Sequence, residues 1–172
     1  MTTPTLQPVY GSYTTLTKTL ASLATSSTFV AGRELPAIDN SSALYDDFEV
    51  SGKITVGTTP TVNTSILLYA FGTVDDTPTW PDVFGGTDAA KTLTSAGVGI
   101  GFLKLLASLA VDSTTSDRAY PFVVTGLAGL FGMYPPKRIG LFVTHNTGVN
   151  FNSTESNHIV KWRGFNWAIP SV

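Results

Sequence analysis

Short runs in which apolar residues take every second position recur along this chain from Thr14 onward, and glycine or proline interrupts them before a helical repeat can build up. A strand turns successive side chains to opposite faces, so this alternation makes one face apolar and leaves the other polar. Phe48, Val50, Ile54 and Val56 share one parity across 46–56, the pattern of a half-buried strand, and Gly57-Thr58-Thr59-Pro60 then supplies a turn. Ile66 to Phe71 is apolar on both parities, which predicts cover on both faces. Leu16 and Leu20 alternate with threonines in the first run, and further runs lie at 120–125, 139–144 and 157–168. In the last of these His158, Val160 and Trp162 share one face, and Ile159, Lys161 and Arg163 the other.

Segment 103–111 suits either period, but Leu103, Leu105, Ala107, Leu109 and Val111 form a complete alternating face. No capping residue stands at its start, and Gly97, Gly99 and Gly101 crowd the approach, so a strand with a flexible lead-in is expected. About eight strands and no helix predict an all-β fold, an antiparallel two-sheet sandwich, with the jelly roll as the commonest eight-strand solution. Residues 1–13, with Pro4, Pro8 and Gly11, read as an extended N-terminal arm, and 14–172 as a single sandwich domain. The longest loop is expected from Val74 to Thr94, and a loop of that length is usually functional or clamped by a partner.

Composition narrows the function. The chain has 172 residues and no cysteine, which removes disulfides, thiolate metal sites and a cysteine nucleophile together. Charged residues make up 13%, about half the usual share of roughly 25%. Threonine, at 26 residues, takes the place that charge normally holds. A weakly charged surface of that kind loses little solvation when a partner covers it, which suits permanent assembly. The ten basic residues are scattered from Lys18 to Arg163 and form no stripe, so no nucleic-acid partner is expected. No apolar run reaches the roughly 18 residues of a spanning helix, so no membrane partner is expected either.

The search for chemistry meets only partial motifs. Gly85-Gly86-Thr87-Asp88-Ala89-Ala90-Lys91-Thr92 is one residue short of a phosphate-binding loop, because Ala90 stands where the second glycine lets backbone N–H groups curl around a phosphate. Gly97, Gly99 and Gly101 lack the final spaced glycine of a dinucleotide loop. His145 and His158 have no neighbouring metal-ligand partner at a recognised spacing. The adjacent pairs Asp46-Asp47 and Asp75-Asp76 do not converge on a substrate as paired catalytic carboxylates must, and the loop acids Asp75, Asp76, Asp82 and Asp88 follow no calcium-loop spacing. The chain therefore reads as a structural protein and not an enzyme, with no cofactor. Candidate partner contacts are Tyr10 and Tyr13 on the arm and Trp80 and Phe84 in the long loop.

In order along the C-terminal half stand Leu103-Lys104-Leu105-Leu106, Pro121-Phe122-Val123-Val124, Leu130 to Val143 with its Phe131-Gly132 and Pro135-Pro136, Asn146-Thr147-Gly148, and the closing Trp162-Arg163-Gly164-Phe165. This order resembles the small jelly-roll head proteins of tailed bacteriophages known as cement or decoration proteins. The likeness covers about residues 100–168 and leaves out the arm and the long loop. It implies a protein on the outer surface of the virion capsid that binds the assembled major capsid protein and bridges capsomers as a homodimer or homotrimer. Two alternatives stand beside it: a tail, baseplate or head-fibre component, and a carbohydrate-binding sandwich in which Trp80 beside Asp82 stacks on a sugar.

Overall fold

The computed structural model describes residues 6–169. Ten strands lie within that range: β1 (Gln7–Tyr10), β2 (Thr14–Thr15), β3 (Ala31–Asp39), β4 (Asp47–Thr55), β5 (Thr64–Gly72), β6 (Ala89–Thr92), β7 (Lys104–Val111), β8 (Ala119–Thr125), β9 (Arg138–His145) and β10 (Ile159–Ala168). Two short helices accompany them, α1 (Ala96–Phe102) and α2 (Leu127–Leu130). The first sheet runs β1-β10-β4-β8, with β2 also paired to β10. The second runs β6-β3-β9-β5-β7. Every ladder is antiparallel.

This order is a long hairpin rolled over itself. If β1 and β2 are one interrupted strand and β6 is set aside as an insertion, first pairs with last (β10), β3 with β9, β4 with β8 and β5 with β7. That is the jelly-roll path, so the two-sheet antiparallel sandwich expected from the alternation is the fold. The β5–β7 connection is the tip of the rolled hairpin and carries the long loop, β6 and α1.

The core lies between the sheets. Phe48, Val50, Ile54 and Val56, the single-parity set of the sequence, are all fully buried. They meet Ile66, Leu68 and Ala70 of β5, Ile139, Leu141 and Val143 of β9, and Val160 of β10. Ile66 to Phe71 is covered on both sides as its double parity requires, because Phe71 joins a second cluster with Phe84, Leu93 and Phe142.

Several local expectations are corrected. The three-glycine segment is helix α1, since Ser95 supplies the cap: its Oγ accepts a 3.1 Å hydrogen bond from Val98 N–H. In β7 a register shift opposite Leu68 and Tyr69 breaks the alternating face, so Leu106 is buried and Leu105 is half exposed. Leu16 and Leu20 are core residues, but only Thr14–Thr15 of that stretch pairs as strand. The arm residues Gln7–Tyr10 lie along the chain's own β10, in register from Gln7 opposite Ala168 to Tyr10 opposite Phe165. Residues 1–5 of the arm and 170–172 of the domain lie outside the described residues.

Gly164 shows why the closing strand carries a glycine between aromatics. A Cβ there would stand 2.1 Å from the Tyr45 ring, which packs flat on the inner side of β10 and edge-on to Phe48 and Trp162. Gly164→Ala is expected to cost about 1–3 kcal/mol through displacement of that ring, read as a melting temperature several degrees lower. An unchanged melting temperature would show that Tyr45 is not held there.

Candidate interaction surface

The polar groups singled out in the sequence are spent inside the molecule. The His145 ring is fully buried and stacks on Phe151 at 3.8 Å, with Nε2 3.0 Å from the Leu23 carbonyl and Nδ1 3.0 Å from Thr147 Oγ1. His158 accepts the Thr55 N–H at Nδ1 and donates Nε2–H to the Asn152 carbonyl. Burial pushes the His145 pKa down to about 4 and lowers that of His158 as well. Asp46 accepts the Trp167 N–H, and Asp47 accepts the N–H of Ala128 at the start of α2. The loop acids have separate partners: Asp75 takes Thr79, Asp76 takes Lys137, Asp82 takes Thr94 and Asp88 takes Arg33. Among the described residues no cluster of His, Asp or Glu is arranged to hold a metal.

The phosphate-loop look-alike is an anion nest whose anion is Glu34. Glu34 is fully buried, accepts the N–H of Gly85 at 3.0 Å and of Gly86 at 2.5 Å, and has Lys91 Nζ 3.5 Å away. Lys91 also donates to the Val83 carbonyl at 2.7 Å. Two backbone donors and a lysine around one acid are the parts a phosphate loop uses, here closed on a side chain of β3. Gly86 takes φ +73° and lies under the Trp80 ring, so a side chain at that position would strike the indole. Phe84 stacks on Phe71 at 4.1 Å and is 7% exposed, which corrects its reading as a partner contact: its ring belongs to the loop's own core. Trp80 is half-buried, edge-on to Phe71 at 5.7 Å. The long loop is thus clamped onto the second sheet by the chain itself.

Tyr10 and Tyr13 stand elsewhere, on the outer side of the first sheet, about half exposed. Between them lies Arg163, its guanidinium 4.3 Å from one ring centroid and 4.5 Å from the other. Arg163 Nη2 donates to Glu49 Oε2 at 3.0 Å, and the Tyr13 hydroxyl donates to Glu49 Oε1. Burial opposes ionisation of Glu49, but the hydrogen bonds from Tyr13 and Arg163, with the arginine's charge, outweigh it and hold the carboxyl below its usual range. Tyr10 also packs on Phe165 at 5.3 Å, and Phe165 on Trp167 at 6.0 Å. This aromatic ridge runs off the end of the sheet into an open hollow lined by Leu6, Leu44, Met133, Tyr134 and Trp167. Those five side chains are between 51% and 80% exposed.

Sequence reasoning placed Arg163 on the face opposite Val160 and Trp162 but did not follow that face to Phe165 and Trp167, although the signal was present. Extending the parity of Ile159, Lys161 and Arg163 by two steps places Phe165 and Trp167 on the same outward face. Met133 and Leu44 gave none, since each is brought out by a positive-φ turn. No family model, curated protein or solved structure matches this chain.

Two outcomes follow. Glu34→Ala leaves the N–H groups of Gly85 and Gly86 without their acceptor and Lys91 without its ion-pair partner. It is expected to cost about 3 kcal/mol or more and to open 74–94 to limited proteolysis; a loop that stays protected would refute the latch. In acid, the unfolded chain protonates its histidines near pH 6.5 while folded His145 stays neutral to about pH 4. Stability present above pH 6.5 should therefore fall toward pH 4, by roughly 3 kcal/mol for this group at about 1.4 kcal/mol per pKa unit. His145→Gln should flatten that fall in denaturant titrations.

Proposed function

We propose that this chain is a structural subunit that binds the outer surface of an assembled phage capsid and holds neighbouring capsomers together. The observation that carries the reading is the contiguous apolar band from Tyr10 through Phe165 and Trp167 to Leu44, Met133 and Tyr134. Soluble monomers rarely expose patches larger than a few hundred Å², and larger ones mark interaction surfaces. Low charge supports the same reading, since few ions must be stripped of water when the band is covered. The likeness of 100–168 to decoration proteins supplies the kind of lattice. A subunit that binds only the assembled shell stabilises it by RT ln(1 + [L]/Kd), about 4 kcal/mol per site at a thousandfold excess. Trp80 gives the sugar-binding alternative less support, because its ring is turned onto Phe71 and Gly86.

The test is co-sedimentation with expanded shells assembled from the major capsid protein of the same genome. Saturable binding and a higher shell rupture temperature are expected. Replacing both Tyr134 and Trp167 by alanine should weaken binding by about thirtyfold, the effect of losing a hot spot of about 2 kcal/mol. Failure of the unaltered protein to sediment with shells rejects the reading. Glycan-array hits abolished by Trp80→Ala would replace it with sugar recognition.

A further inference from the structure

We infer that residues 22–29 form a strap that is latched at neutral pH and released in mild acid while the sandwich stays folded, with His145 and His158 as the two halves of the latch. The device belongs to the fold itself, whatever the chain assembles with.

Residues 16–30 carry the chain from β2 in the first sheet to β3 in the second. The root of this crossing is firm: Leu16 and Leu20 are core residues, and the Glu155 carboxylate takes Lys18 Nζ at 2.9 Å and Ala21 N–H at 2.6 Å. From Ser22 on the grip changes. Between 22 and 29 only Ser26 is buried, so little apolar surface holds the stretch down, which is the condition for local opening. Ser22 and Phe29, at its two ends, hold φ at +58° and +57°. That left-handed conformation crowds a side chain against its own backbone, most of all a bulky one, so both residues relax when the stretch lets go.

What holds the strap is a set of hydrogen bonds to one joint. Phe151 N–H donates to the Leu23 carbonyl at 3.0 Å, and Ser22 N–H to the Asn152 carbonyl at 3.2 Å. Each of those carbonyls is shared with a histidine: His145 Nε2 lies 3.0 Å from the first and His158 Nε2 2.9 Å from the second. The Phe151 ring packs against both imidazoles, at 3.8 Å and 5.7 Å. The backbone carbonyl of His145 also accepts Ser26 N–H at 2.7 Å.

Both ties need neutral rings. A carbonyl only accepts, so Nε2 carries the proton in each ring and Nδ1 keeps its lone pair. At His158 that lone pair receives the Thr55 N–H, and a second ring proton would set donor against donor. At His145 Nδ1 faces the Thr147 hydroxyl, which can turn its hydrogen to the Val149 carbonyl 2.9 Å away. There the hydrogen bonds survive protonation, and the cost is the buried charge itself. Among the described residues no carboxylate forms an ion pair with either ring. Glu155 and Lys18 act on His158 in opposite senses and pair with each other, and Asp117 is taken by Asn152 Nδ2. Opening the strap lifts Leu23 off His145 and Ser22 off Asn152 and admits water, so each proton taken up favours the open form.

Hydrogen exchange of the full chain at pH 7 and pH 5, corrected for intrinsic rates, tests this. The amides of Ser22, Ser26 and Phe151 should exchange at least about tenfold faster than those of β4 at both pH values, because they open without global unfolding. Their opening should rise about twentyfold from pH 7 to pH 5 through His145 alone, whose pKa moves from about 4 when latched to about 6.5 when released. His158 adds to the rise in the same direction. Glutamine keeps an N–H donor and cannot take a charge. His145→Gln should therefore remove the twentyfold part, and His145→Gln with His158→Gln the whole rise, with circular dichroism confirming that each variant is folded. Strap amides that exchange at the β4 rate, a strap opening indifferent to pH, or a rise that survives His145→Gln overturns the inference.

Discussion

Everything the molecule presents outward depends on the register in which β10 pairs with β4. With Val160 opposite Gly52 and Trp162 opposite Val50, the even residues of β10 enter the inter-sheet layer and the odd ones leave it. A slip of one residue would expose Val160 and Trp162 and drive Lys161 and Arg163 into a layer made by Phe48, Leu68 and Leu141. Each apolar side chain lost is worth about 1.5–3 kcal/mol, and each charge buried without a partner costs several more. Set against a folding stability of about 5–15 kcal/mol, the slipped sheet is not a competing state. The same register that builds the core therefore aims Arg163 between Tyr10 and Tyr13 and lines up Phe165 with Trp167.

The rolled-hairpin path decides where irregular chain can go. Its outer ends pair β1 and β2 with β10, and its tip lies between β5 and β7, where a long insertion disturbs no other ladder. The insertion folds back over the second sheet because three attachments converge there: the Glu34 nest, the Phe71–Phe84 stack and the β6–β3 ladder. Once those are made, the aromatic outer side of β5 and β9 is dry. The loop's conspicuous residues are then consumed by the fold, and the free aromatic surface moves to the opposite sheet.

How far this was legible in the sequence follows from what kind of force sets each feature. Strand parity is local, so the core residues of β4, both faces of β5 and the inward set of β10 could be read directly, and the two-sheet sandwich with them. Helix α1 was hidden because three glycines argue against helix, while the one favourable signal, Ser95, sits just before them. The β7 bulge was hidden because it is a response to the partner strand, with no mark of its own in an almost uniformly apolar run. Phe84 was misplaced for a different reason. An aromatic in a long loop looks like a contact until the glycines beside it are seen to bind Glu34, 51 residues upstream of Gly85 and invisible as a pair in one dimension. The Tyr10–Arg163–Tyr13 cluster is likewise a meeting of chain ends that only the rolled topology brings about.

A chain with so few charges must guard against indiscriminate association by other means, and the structure does so with geometry. Prolines stop the first sheet at both edges, and the exposed aromatics are gathered into one band. Of the ion pairs present, Arg33–Asp88 and Lys91–Glu34 brace the loop, and Arg163–Glu49 braces the aromatic ridge. Lys53, Lys104 and Lys161 have no ion-pair partner among the described residues, and they are divided between the two sheets.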